Sequence, residues 1–221
     1  MKQSRNLGSP ILLLTLLLFV LSPLMAENWF DEQFIYTYNE NISLASDITS
    51  ALTMVAPATF LFAAPSSDWV EVGLTYGTTL LASYAVRTVL KNTISRQRPY
   101  LLSGNDTLQP SNTSDFYQSF PSGHTLMAFS SAAFTQTVFS LKYPDSPYKT
   151  AVTATTWALA ATTAILRVAS GNHFVTDVLA GAAIGSILGF AGPYLTHLMF
   201  KDKENAPTLM IGPSVGMQVS L

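Results

Sequence analysis

The chain has 221 residues, enough for one domain with a substantial core and too short for two comfortable ones. A net charge of −2 argues against a nucleic-acid partner, and the lack of cysteine excludes disulfides and thiolate zinc sites. Charged residues make up 11% of the chain while the hydrophobic share is an ordinary 48%; soluble domains carry about 25% charge, so the deficit points toward lipid.

Residues 1–26 have the layout of an export signal. Lys2 and Arg5 precede an apolar run from Ile11 to Val20, and Ala26 stands where a cleavage site could end. Leu24 takes the minus-three place of a small residue, so a retained N-terminal membrane anchor is the other reading, although the run is short of the ~20 residues of a span. Either way the chain is inserted in a membrane or sent across one.

Residues 27–44 mix aromatic and charged side chains, as an amphipathic helix lying at an interface would. Ile48 to Ser67 holds no charge, and after Asp68-Trp69 a second apolar helix runs from Val70 toward Arg87 and Lys91. Residues 101–120 are rich in Ser, Asn, Asp and Gly, include Pro110, and read as a loop. Thr125 to Leu141, Thr150 to Leu166 and, His197 apart, Val178 to Phe200 are again uncharged. A helix on a soluble surface needs a polar face, and these offer only Ser, Thr, Gln and Gly. The expected fold is all-α: a bundle of about six membrane-associated helices, with a helical domain over 27–200 and a tail over 201–221.

Gly181, Gly185 and Gly189 recur every fourth residue and predict a close helix–helix approach. The tail's VGMQVSL alternates as a short strand does. Lys2, Arg5, Lys142, Lys149, Lys201 and Lys203 would face the cytoplasm by the positive-inside rule. Counting spans from there puts residues 91–121 and 167–177 together on the opposite face. His197 falls toward the other end and reads as packing or interface. The sequons at Asn41, Asn105 and Asn112 carry no weight.

Three segments carry chemistry. Lys91 and Arg98 are seven residues apart, on one helical face if the helix persists, and Pro99 would release Arg98 into the loop. Two cations beside lipid are costly unless an anion joins them, although interfacial snorkelling would look alike. Pro121-Ser122-Gly123-His124 precedes an apolar helix, where free N–H groups make an anion site and Ser122 could cap the helix. Arg167, His173 and Asp177 follow between two apolar segments. A carboxylate four residues after a histidine can accept one ring N–H and leave the other nitrogen as a lone-pair donor. An ordinary surface pair has the same spacing; the scarcity of charge elsewhere favours function.

Together KNTISRQRP, PSGH and RVASGNHFVTD resemble the signature of the type 2 phosphatidic acid phosphatase family, which includes vanadium haloperoxidases and bacterial acid phosphatases: K-x6-RP, PSGH, SR-x5-H-x3-D. The resemblance covers roughly residues 70–195. Leu166 stands where the family has Ser before the arginine. The resemblance implies a phosphatase in which His173 attacks phosphorus, Asp177 supports the imidazolium, and His124 serves the leaving oxygen and then water. Lys91, Arg98, Ser122, Gly123 and Arg167 would hold the phosphate, with no metal and no cofactor. It implies a membrane enzyme, its site facing the periplasm or outside, for a phospholipid or isoprenoid phosphate. Phosphatidic acid, phosphatidylglycerol phosphate, an isoprenoid pyrophosphate and a lipid A phosphate fit the sequence equally. A soluble periplasmic acid phosphatase, a vanadium-dependent haloperoxidase and a non-catalytic binding module are the other readings.

Overall fold

Helix boundaries follow local chemistry in a computed structural model that describes residues 29–104, 115–201, 208–210 and 216–218. The expectations for residues 1–26, and the middle of the 101–120 loop, lie outside the described residues. Asn39 opens the first long helix, α2 (Glu40–Val55), its side chain accepting the Ile42 N–H at 3.1 Å. At Ala56-Pro57 the chain tightens into a 3-10 turn (Ala56–Thr59), then a short α3 (Phe60–Ala63) and a second 3-10 turn (Ser66–Asp68). Three long helices frame the rest with α4 (Trp69–Thr93): α5 (Gly123–Lys142), α6 (Lys149–Ala169) and α7 (Val175–Lys201). The strand expected near the C-terminus exists as β2 (Gly216–Gln218), paired antiparallel with β1 (Thr208–Met210).

Among the described residues, the interfacial helix expected over 27–44 is not continuous. A single turn, α1 (Trp29–Glu32), is followed by non-helical backbone to Asn39. Its Asp31 is buried rather than facing an interface, because Arg96 and Thr176 bind the carboxylate.

The bundle is polar inside and apolar outside. On α2 the buried positions are Ser43, Ser46, Ser50 and Thr53, while Leu44, Ile48, Leu52 and Val55 are exposed. The outer surface continues through Phe62, Val70, Leu81, Ile165 and Met199. Water would reverse that order; hydrocarbon tolerates it, provided that inner hydroxyls find partners. They do: Thr163 donates to Thr49 at 2.8 Å, and Ser83 pairs with Ser130 at 2.8 Å. Among the described residues, three helices are long and apolar enough to cross a membrane: Glu40–Ala63, Lys149–Ala169 and Val175–Met199. The apolar outer surface and these helices make it a membrane protein.

α5 is the axle, with α2, α4, α6 and α7 packed around it. Small residues allow the closest of these contacts. A Cβ on Gly181 would lie 2.7 Å from the Ser122 carbonyl oxygen, and Gly185 and Gly189 press closer still against the Leu126 and Ser130 carbonyls. The glycine stripe is therefore the α5–α7 seam. At one end of the bundle an apolar cluster gathers Phe60, Val72, Phe134, Val138 and Phe139. Lys142–Glu71 at 2.6 Å and Tyr143–Asp68 at 2.7 Å close that end. The other end holds the candidate site.

Candidate active site

α4 delivers Lys91 in its last turn, then stops at Thr93. The chain continues extended, with the Arg96 N–H donating to the Tyr117 carbonyl at 2.9 Å and the Ser119 N–H to the Arg96 carbonyl at 3.0 Å. Lys91 and Arg98 thus do not share a helical face. Pro99 holds Arg98 in the β region, and the loop, not the helix, brings it to the site. Both cations are buried. Lys91 Nζ donates to the Gln118 carbonyl; Arg98 donates to the Asp115 carbonyl at 2.9 Å, to the Asn172 carbonyl at 2.8 Å and to the Asp115 carboxylate.

α5 starts at the site with Ser122 in the capping position. Its hydroxyl does not cap: it pairs with the Thr125 hydroxyl at 2.9 Å, and its own N–H donates to the Asp177 carbonyl at 3.0 Å. The following Gly123 N–H has no hydrogen-bond partner among the described residues. The Arg87 guanidinium lies against Gly123, where any side chain would collide with it. His124 reaches α2, with Nε2 at 3.3 Å from Asp47 Oδ1.

The last turn of α6 carries Arg167, whose Nη1 donates to Ser46 at 3.0 Å, Ser43 at 3.3 Å and Asp47 at 3.1 Å, while its buried Nε has no partner. Leu166 beside it is half-buried; the hydroxyls around this arginine come from α2. The turn to α7 needs Gly171, at φ +72°, where a Cβ would lie 2.5 Å from the Tyr36 carbonyl oxygen. His173 follows in that turn rather than on a helix, and Asp177 sits in the first turn of α7. Their side chains still meet, Nδ1 to Oδ2 at 3.8 Å, beyond hydrogen-bond length.

Asp177 is anchored by other donors. Its Oδ2 accepts from the Ser119 hydroxyl and, at 3.0 Å, from the Phe174 N–H; Arg96 binds its Oδ1. Arg96 reaches on to Asp31 at 2.8 Å and lies over the Phe174 ring at 4.3 Å. Arg96, Asp31, Ser119, Asn172, Asp115 and Asp47 are therefore site residues that motif spacing did not single out. Scarcity of charge would have flagged Arg96, Asp31 and Asp47, each beside an apolar stretch.

His173 is fully enclosed. Arg98 Nη1 lies 3.3 Å from its Nε2. A guanidinium only donates, so Nε2 presents its lone pair and Nδ1 carries the hydrogen, toward Asp177. Burial, followed by the charges of Arg98, Arg167, Lys91 and His124, holds the ring's proton affinity well below that of a free histidine. The structure thus gathers all eight residues expected at the site around one end of the bundle. It leaves His197 half-buried far down α7.

The chain is similar to known proteins in sequence and in fold. Over 96 residues the chain is 36% identical to a lipid A 1-phosphatase of Porphyromonas gingivalis, and over 95 residues 37% identical to a lipid A 4'-phosphatase of the same organism. Each match covers 43% of this chain, but only 20% and 34% of the respective relatives. The fold is similar to that of a transmembrane PAP2-type phosphatidylglycerolphosphate phosphatase from Bacillus subtilis, with a TM-score of 0.56 and 23% identity over 88% of this chain and 96% of that one. LpxE of Aquifex aeolicus is similar at a TM-score of 0.51 and 22% identity, covering 74% of this chain and 92% of that one. The model of the PAP2 superfamily matches residues 72–201, which span every motif described above, and the chain belongs to that superfamily.

Proposed function

We propose that this chain is a phosphatase that hydrolyses a lipid phosphate monoester or diphosphate through a phosphohistidine on His173, its site facing the periplasm or outside. The observation that carries it is the buried His173 ring, its Nε2 lone pair turned to the Arg98 guanidinium at 3.3 Å amid the charges of Arg167, Lys91 and His124. A neutral imidazole surrounded by fixed cations is a nucleophile waiting beside an anion site.

In the proposed sequence Arg98, Arg167 and Lys91, with the Ser122 hydroxyl and the Gly123 N–H, take the non-bridging phosphate oxygens. Nε2 of His173 attacks phosphorus in line, and the bond to the leaving oxygen breaks with its electron pair going to that oxygen. His124 gives the leaving oxygen a proton. It then takes a proton from the water that attacks phosphorus, and the P–N bond breaks to release inorganic phosphate. Asp177 supports the charge on His173 while the P–N bond exists. No divalent ion is required, since guanidinium and ammonium groups do the electrostatic work.

The apolar outer surface and the relatives that act on lipid A point to a phosphorylated lipid. The test is phosphate release from a panel of lipid phosphates and diphosphates by protein purified in detergent, beside a His173→Ala control. We expect release with at least one lipid, none from the control, competitive inhibition by vanadate and indifference to chelators. No release from any lipid, or equal release from the control, would refute the proposal.

A further inference from the structure

α2 brings the site a carboxylate that none of the three motifs contains. A single oxygen of Asp47, Oδ1, lies 3.3 Å from His124 Nε2 and 3.1 Å from Arg167 Nη1. Its helix is fastened to both partners. Ser43, a turn earlier, and the adjacent Ser46 accept from the same arginine nitrogen, and the Ser50 hydroxyl, a turn later, donates to the His124 carbonyl at 3.3 Å. Successive turns of α2 therefore grip the start of α5 and the end of α6, with Asp47 between them.

We infer that Asp47 is the positioning residue of the acid–base step, aiming the His124 ring and favouring its charged form when the leaving oxygen must take a proton. The inference rests on the reading of His124 as the acid. Burial first, then Arg167 from α6, Arg87 from α4, Arg98 from the loop beyond and Lys91 from α4, all cationic, push the His124 pKa in the free protein down to about 3, and Asp47 from α2 is the carboxylate in contact. Cations favour the uncharged ring, which is useless as an acid. A carboxylate at this distance favours the charged ring by about 10-fold or more, and partial exposure, 41% for His124 and 46% for Asp47, keeps the effect near the lower end. When the P–O bond breaks, its electron pair goes to the leaving oxygen and the ring's proton follows. The neutral ring then recovers a proton from the attacking water, which the same carboxylate favours.

A leaving group's own stability separates this role from mere support. An alkyl lipid phosphate needs a proton at its leaving oxygen, whereas p-nitrophenyl phosphate expels a stable anion without one. In the full-length protein in detergent, Asp47→Asn is expected to lower the single-turnover rate of leaving-group release, which precedes the water step common to both substrates, about 10- to 100-fold on the lipid phosphate and only about 3-fold on the aryl phosphate. The alkaline limb of the pH profile of that rate on the lipid should move about one pH unit lower, because the charged ring is then lost sooner. Asp47→Glu should restore part of the loss. An unchanged rate of release with a lower KM would overturn the inference, since Asp47 would then only compete with substrate for Arg167. Equal losses on both substrates with no rescue by Glu would overturn it too, as the mark of a structural role. His124→Ala, run alongside, separates the two levels of failure. If it loses lipid turnover while Asp47→Asn does not, only the inference on Asp47 falls. If it keeps lipid turnover, the acid assignment falls and the inference with it.

Discussion

At Asp177 three donors converge on one buried carboxylate, and only the histidine it serves was visible from spacing. Arg96 and Ser119 come from a loop that is more than fifty residues distant, so their approach depends on the fold and not on any local pattern. Asp177→Asn should keep an acceptor for these donors while losing the charge that, in the proposed mechanism, supports a phosphorylated His173. The expected cost is ~10²- to 10⁴-fold in kcat, read by steady-state phosphate release. Arg96→Ala should do more harm to the fold than to any single step. It strips the cation from two enclosed carboxylates, Asp31 and Asp177, and should lower unfolding stability by about 3 kcal/mol, read by thermal unfolding in detergent. His173 makes a prediction about pH. Its proton affinity is depressed in the folded protein, chiefly by burial, so the unfolded chain binds more protons as pH falls below about 6.5. Stability is retained above that value and declines below it, and His173→Gln should flatten the decline in a series of unfolding curves taken from pH 7 to 5.

Element by element, apolar runs located the helices well and pairing poorly. The segment over 27–44 was misread because alternating aromatic and charged residues suit a membrane interface equally well; the burial of Asp31 depends on Arg96, which no nearby residue announces. The expected continuous run from Ile48 to Ser67 is broken at Pro57 and Pro65, where the missing N–H groups interrupt the helix. The glycine stripe was legible because one cause, close approach, produces one spacing. Gly185→Val should therefore push α5 and α7 apart and cost roughly 3 kcal/mol of stability. Gly73→Val, on the outer side of α4 with nothing near its missing Cβ, is the control and should cost far less in the same thermal assay. A small difference between the two would mean that the seam tolerates a wider crossing.

For the molecule as a whole, orientation in the membrane is the open variable that sequence alone addressed, through its lysines. The chain contains no cysteine, so single replacements give clean labels. Tyr117→Cys stands exposed at the site end, and Asp145→Cys in the exposed turn between α5 and α6 at the other. With an impermeant maleimide on intact cells, the former should react and the latter should not. The reverse pattern would place the site on the cytoplasmic side. Counting spans expected residues 91–121 and 167–177 on one face, and the described residues of both segments do share one end of the bundle, since helices that cross a slab must alternate direction; it could not rank neighbours, since that depends on which helix faces are small.

The axle position of α5 also bears on how the protein is made. It is not one of the three helices apolar enough to cross a membrane unaided, being rich in inward-facing Ser and Thr where its neighbours carry outward-facing Leu and Ile. A translocon that judges each segment against lipid would hesitate over it until α6 and α7 emerge to sheath its hydroxyls. Reporter fusions ending just after α5 should then give mixed or incomplete insertion, and fusions ending after α7 a single arrangement.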